Sequence, residues 1–296
     1  MPTEVNPYTR VMAWLNVFAN VGIVGTGGLV RLTGSGLGCD VWPYCTGNSL
    51  FPTPELGIHG LIEFGNRTLT GVLVVVALLA YLSVRRTDPN LGLRRPAFLI
   101  GIIIIVQAVV GGITVLLQLD PRIVGIHFLF SAALAALAGL ELQRVRLAQP
   151  LPAQHAFSGG RGTWFTAMTM TVFFWIVETI GVLTTGSGPH AGDELAARNG
   201  LDPVFMHHFH AWSGYALLAT IVVMLLVAST QNLQRTLRLT AVLMVMVLVQ
   251  IIIGVFQART GLPIIPVAVH MLLAVSVLVV LSVMLVTLRR ELAERA

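Results

Sequence analysis

The sequence predicts an all-α membrane protein of eight transmembrane helices, built as two tandem four-helix bundles related by a pseudo-two-fold axis. Three observations carry that prediction. The chain of 296 residues is 55% hydrophobic and only 10% charged, where a soluble domain usually carries about 25% charge; its mean hydropathy is +0.84. It contains eight apolar runs, each close to the roughly 20 residues a helix needs to cross a bilayer core. Its second half also repeats words of its first at matching positions.

The runs are residues 11–32, 59–84, 97–117, 123–142, 163–184, 205–227, 239–256 and 267–288. Strands are excluded because barrel segments are about 10 residues long and alternate polar with apolar. Residues 1–10 are polar and the run after them is too long for a signal h-region, so the first run reads as a span. There is no lysine, and the arginines divide unevenly. With a cytoplasmic N-terminus, Arg10, Arg85, Arg86, Arg94, Arg95, Arg144, Arg146, Arg161, Arg235, Arg238, Arg289, Arg290 and Arg295 fall inside. Arg31, Arg67, Arg122, Arg198 and Arg259 fall outside, a clear positive-inside bias. Both termini are therefore expected in the cytoplasm, in a multi-pass plasma-membrane protein with two long outside loops, 33–58 and 185–204. The net charge of +5 then reads as topogenic, and no nucleic-acid motif accompanies it.

Gln107 begins a stretch that ends at His127, and Gln250 begins one that ends at His270, with the same spacing in both. Thr33-Gly34-Ser35-Gly36 recurs as Thr185-Gly186-Ser187-Gly188, and Glu63 to Asn66 falls at the place of His207 to His210. Four spans return the chain to its starting side, so a tandem duplication relates the halves by an axis along the membrane normal. The domains are expected at 1–146 and 163–296, joined by a cytoplasmic linker over 147–162 that holds His155.

Ionisable side chains within spans are costly and usually functional. Six histidines, His59, His127, His207, His208, His210 and His270, fall at the outer ends of the even-numbered runs. A lone membrane histidine is usually an interhelical hydrogen bond. A symmetric pair in a duplicated bundle points instead to two imidazoles across a haem iron. Zinc, copper or a proton relay are the alternatives, and such metal ions prefer three or four ligands. In the second repeat, His210 aligns opposite Asn66 and is read as the partner of His270, with His207 one turn earlier as a further haem contact. His208 is expected to face another helix or the membrane interface.

The first repeat does not copy this site. His127 matches His270, but its partner position holds Asn66. His59, Glu63 and Asn66 share one helical stripe, and Arg67 follows as a candidate for a haem propionate. One histidine, a carboxylate and an amide suggest a place for chemistry more than for electron transfer. Cys39 and Cys45 lie in the first outside loop, where a disulfide is chemically expected, in a structural or a redox role. Asn16, Asn20, Gln107, Gln250 and Glu178 read as interhelical glue.

In order along the chain, Arg31-Leu-Thr-Gly-Ser-Gly36, Cys39…Trp42-Pro43…Cys45, Ile62-Glu63…Arg67, the histidines of spans four, six and eight, and the word from Thr185 to Asp193 resemble the haem A synthases. The resemblance implies a C-terminal haem b with axial His210 and His270. It implies an N-terminal bundle that takes haem O, with His127 axial to the substrate, and oxidises the ring-D (C8) methyl to a formyl group through hydroxylated intermediates. Glu63 matches the family's functional glutamate, and Cys39 and Cys45 a pair that forms a disulfide in many members. It further implies haem O as the substrate, the haem O-producing farnesyltransferase and the cytochrome oxidase assembly machinery as partners, and supply of an aa3-type oxidase; homo-oligomers are compatible with it. Many members have histidine at the place of Asn66. Either the substrate haem is held by His127 alone, or His59 supplies the second ligand.

The rival readings are distinguishable. A dihaem b-type electron-transfer protein predicts intact histidine pairs in both repeats, and Asn66 breaks one. A thiol oxidoreductase needs a second cysteine pair or a quinone site, and there are two cysteines in all. A transporter predicts polar residues near the bilayer midplane and broken helices, whereas the histidines cluster at one end.

Overall fold

The computed structural model describes residues 3–150 and 160–295. It contains eight long helices: α1 (Pro7–Leu32), α2 (Gly57–Val84), α3 (Arg94–Leu116), α4 (Pro121–Leu147), α5 (Arg161–Ser187), α6 (Pro203–Thr230), α7 (Gln234–Arg259) and α8 (Ile264–Ala293). Each is long and apolar enough to cross a membrane. The one extended pairing among the described residues is an isolated bridge between Thr46 and Ser49. The all-α, eight-span expectation holds, and most of the helices extend beyond their apolar runs, with side-chain caps at the starts of α1, α4 and α6. Part of the expected linker, residues 151–159 with His155, lies outside the described residues.

The caps follow from local chemistry. α1 begins at Pro7 because Asn6 Oδ1 accepts the Thr9 N–H at 3.0 Å, and proline at the first helical position loses no hydrogen bond. Asp120 and Asp202, each followed by proline, cap α4 and α6 in the same way. Asp120 also accepts from the Arg122 guanidinium and backbone, which hold its carboxyl down to about 2. α7 has no cap of its own. Glu291 of α8 supplies one, accepting from Arg235 N at 2.9 Å, Thr236 N at 2.8 Å and Thr236 Oγ1 at 2.5 Å.

α1 packs on α2 and α4, and α3 on the same two; α5 packs on α6 and α8, and α7 on the same two. α8 is the shared wall, lying against both α1 and α4. Small residues let that wall close: Ala132 and Ala135 of α4 are fully buried in one cluster with Val275 and Leu278 of α8. A Cβ on Gly139 would stand 2.8 Å from the Val279 carbonyl oxygen, so glycine there permits backbone contact between α4 and α8. Polar pairs flank it. Gln143 Nε2 donates to Thr287 Oγ1 at 2.9 Å, and Asn16 Nδ2 to Glu141 Oε2 at 2.9 Å.

Gly139→Leu is expected to destabilise the protein by about 1–3 kcal/mol through overpacking. Gly101→Leu, where a Cβ meets nothing within 4 Å, should be nearly neutral. Thermal unfolding of both variants in one detergent checks this; equal melting temperatures would refute the close α4–α8 contact.

Candidate functional site

A cavity of about 350 Å³ lies within the first four helices, at the end that carries the cysteine loop. That volume is within the usual range for a ligand pocket. α2 contributes Glu63, Asn66 and Arg67, α4 contributes His127, and α1 contributes Arg31. Trp42 and Pro43 of the first loop and Ala191 and Gly192 of the second also line it, as does Met271 of α8. The word that runs from Thr185 to Asp193 therefore serves a cavity in the other half of the chain.

The first loop is tied to α2 by a buried charge cluster. Cys39 and Cys45 are joined in a disulfide, and both are fully buried. Glu63 Oε2 accepts the Cys39 N–H at 2.6 Å, and Glu63 Oε1 pairs with the Arg67 guanidinium. Arg67 donates on to the carbonyls of Cys39 (2.9 Å), Val41 (3.0 Å) and Tyr44 (2.9 Å). These bonds and the two to Glu63 engage all five guanidinium donors. The guanidinium read from the sequence as a propionate partner is thus occupied in holding the loop. Gly38 makes the closure possible, since a Cβ there would overlap the His59 carbonyl, and Gly112 of α3 does the same for the Trp42 ring.

His59 stands apart from the cavity lining. It is exposed, and its Nδ1 is 2.9 Å from Ser35 Oγ. Asn66 lines the cavity; its Oδ1 accepts from Thr26 Oγ1 at 2.8 Å, and its Nδ2 has no hydrogen bond among the described residues. His127 has a buried Nδ1 without a partner, and its ring lies against Gly111 of α3, where a Cβ would be 3.4 Å from Cε1.

The other four helices bring His210 and His270 together, with ring centroids 6.2 Å apart and planes at 75°. A metal–imidazole bond of about 2 Å on each side, plus about 1 Å from nitrogen to ring centre, spans about 6 Å. Both rings keep a buried, unpartnered Nδ1. Each lies against a glycine: a Cβ would be 3.0 Å from His210 Cε1 at Gly181 and 3.3 Å from His270 Cε1 at Gly254. The backbone carbonyls of Val177 and Gln250, one turn before those glycines, lie toward the rings. These are the acceptors that a ligating imidazole uses for its second nitrogen, so the residues present fit a bis-imidazole haem. His207 is close enough to His210 to interact electrostatically, while His208 is exposed and stacks on Trp212.

The interhelical role read for Gln107 and Gln250 holds, and the structure adds its partners, which the sequence did not show. Gln107 Nε2 donates to the His127 carbonyl at 2.8 Å, and Gln250 Nε2 to the His270 carbonyl at 3.0 Å. Each glutamine thereby fixes the helical turn that carries the imidazole, and Gly111 and Gly254 stand four residues after it. The Gln-x-x-x-Gly word was the available signal.

A family model described as cytochrome oxidase assembly protein matches residues 10–282. The haem A synthase of Lysinibacillus sphaericus is 32% identical over 185 residues, 60% of this chain and 58% of its own length. That of Bacillus pumilus is 32% identical over 124 residues, 40% of this chain and 39% of its own. That of Halalkalibacterium halodurans is 27% identical over 227 residues, 73% of this chain and 75% of its own. The chain thus spans less than two thirds of the first two relatives and three quarters of the third.

Arg67→Ala is expected to cost about 3 kcal/mol, since it strands a buried carboxylate and three carbonyls. Limited proteolysis should then cut within residues 33–53 faster than in the unaltered protein. Unchanged cleavage there would show that Arg67 does not hold the loop.

Proposed function

The chain belongs to the haem A synthase family of cytochrome oxidase assembly proteins, and from that premise we propose that it converts haem O to haem A, oxidising the ring-D methyl to a formyl group through hydroxylated intermediates. The observation that carries this reading is the difference between the two histidine sites. One half pairs His210 with His270. The other sets His127, Asn66 and the Glu63 carboxylate around a cavity.

In this reading haem O enters the cavity with His127 as its axial ligand. Asn66 is a poor iron ligand, and His59, bonded at Ser35, does not line the cavity. Of the two alternatives, His127 alone holds the iron, and the opposite face stays available for turnover. Glu63 stabilises positive charge that develops near the methyl carbon or accepts its proton. Its hydrogen bond to the Cys39 N–H and its pair with Arg67 hold the carboxylate at the cavity wall. The first loop, with Trp42 over Gly112, roofs the site and limits water. His210 and His270 hold haem b, which would supply one-electron relay chemistry.

Residues 1–146 form the substrate half and 163–296 the haem b half, joined by 147–162. The arginine bias places the cysteine loop and both histidine sites toward the outer face of the plasma membrane, with both termini inside. Haem O from its farnesyltransferase is the input, and aa3-type oxidase assembly consumes the product. A dihaem electron-transfer protein is the second reading, and Asn66 in place of a ligand weighs against it.

Acid extraction of the purified protein, with mass analysis of each haem, tests the proposal. Haem B together with haem O, its hydroxylated form or haem A is expected. Haem B alone from a host that makes haem O would favour the electron-transfer reading. Glu63→Gln should lower haem A formation by about 10²-fold or more and leave haem B bound. His210→Ala should lose haem B.

A further inference from the structure

Arg31 stands in the last turn of α1 and lines the cavity. Its Nε donates to the His190 carbonyl at 2.7 Å and its Nη2 to the Thr185 carbonyl at 3.2 Å. His190 is itself fixed by Nε2 against the Leu262 carbonyl at 2.8 Å. The guanidinium plane is therefore set from three directions: α1, the second loop and the turn before α8. Gly192, at φ +105°, packs its backbone against Arg31, where a Cβ would be 3.8 Å from Cγ. A side chain at 192 would be strained by its positive φ and would press on Leu119, where a Cβ would be 3.1 Å from Cδ1.

Arg31 has no anion. The ion pairs among the described residues join Glu63 to Arg67, Asp120 to Arg122, and Glu291 and Glu294 to Arg235 and Arg290. None includes Arg31, and the charged group that acts on it is another cation, Arg198. Its Nη1 donates to no acceptor among the described residues. A largely buried cation without a counter-charge is expensive. Two of the three charges on the cavity wall, Glu63 and Arg67, cancel each other. The third is left over, oriented and donor-competent.

We propose that Arg31 receives a propionate carboxylate of the tetrapyrrole that enters this cavity, and so sets the rotation of the macrocycle about His127. The proposal rests on the haem O reading above. The methyl that reacts shares its pyrrole ring with a propionate, so an anchor on that propionate fixes where the methyl lies relative to Glu63. Arg31 is a positioning residue. The second loop, which belongs to the other half of the chain, holds it in place.

The purified protein, with its C-terminal haem in place, is titrated with haem O and with haem O dimethyl ester, and binding is followed by the Soret change. The unaltered protein should bind the diacid roughly tenfold or more tighter than the ester, as expected for a charge-assisted pair. Arg31→Gln should bring the diacid down to the level of the ester and leave the ester unchanged. Should that variant fail to fold, Arg31→Lys, which keeps the charge without the planar fork, should show a several-fold smaller preference than the unaltered protein. A preference that survives either substitution undiminished overturns the proposal. Equal binding of diacid and ester by the unaltered protein also overturns it, and is what an anionic lipid headgroup at Arg31 would produce. Binding of neither ligand would instead remove the haem O reading, and this proposal with it.

Discussion

The absence of water inside a bilayer is the constraint on which this structure depends. Every polar group drawn into the helices must find a partner in the protein or carry a large cost. Most do so across helix boundaries. Asn16 meets Glu141, Gln143 meets Thr287, and Glu291 caps the start of α7. Where Gln107 or Arg144 leaves one atom unpaired, another atom of the same side chain is bonded. The imidazoles of His127, His210 and His270 differ, because each keeps a buried Nδ1 without a hydrogen-bond partner among the described residues. The three rings share this arrangement, and each is laid against a glycine of a neighbouring helix.

The two halves are interlocked at the cysteine-loop end. The roof over the first cavity is partly built by the second loop: Gly36 N donates to the Gly192 carbonyl at 2.8 Å, and Leu119, Ala191 and Ala196 form a small apolar cluster there. Arg31 is held by carbonyls of that same loop. At mid-height the contact is steric, with Gly139 against the backbone at Val279. The halves therefore touch at two separate places, through packed helices and through the roof.

The spans and the histidines were legible because they depend on short-range rules, namely hydropathy over about 20 residues and the rarity of ionisable groups within it. The roles of the polar residues beside them were less legible. Arg67 follows Glu63 and Asn66 on one helix, and adjacency alone suggested a propionate partner. The structure spends its five donors on Glu63 and on a loop some 23 to 28 residues earlier. Such a contact depends on how the loop closes, which no periodicity records. His59 shares a stripe with Glu63, yet the loop draws it to Ser35. Arg31 was read as a topological charge and as part of a family word, without a role at the site, although it lines the cavity. Gln107 and Gln250 were legible as interhelical contacts, but that they bond the carbonyls of the histidines, with a glycine under each ring, depends on how the helices meet.

The two halves carry the same support under one histidine and differ opposite it. The glutamine-to-carbonyl bond and the glycine under the imidazole are the same at His127 and His270. The support under one histidine is therefore the same in both halves. What differs is the partner position, where His210 faces His270 across 6.2 Å and Asn66 is instead turned toward Thr26 of α1. An imidazole on each side saturates an iron and suits electron transfer. A single imidazole with an amide, a carboxylate and an unpaired arginine around an open cavity leaves a face and an edge of the macrocycle addressable. With Asn66 at the partner position and the Glu63 carboxylate one turn away, the first site differs from the His210–His270 pair in its donor chemistry as well as in its cavity.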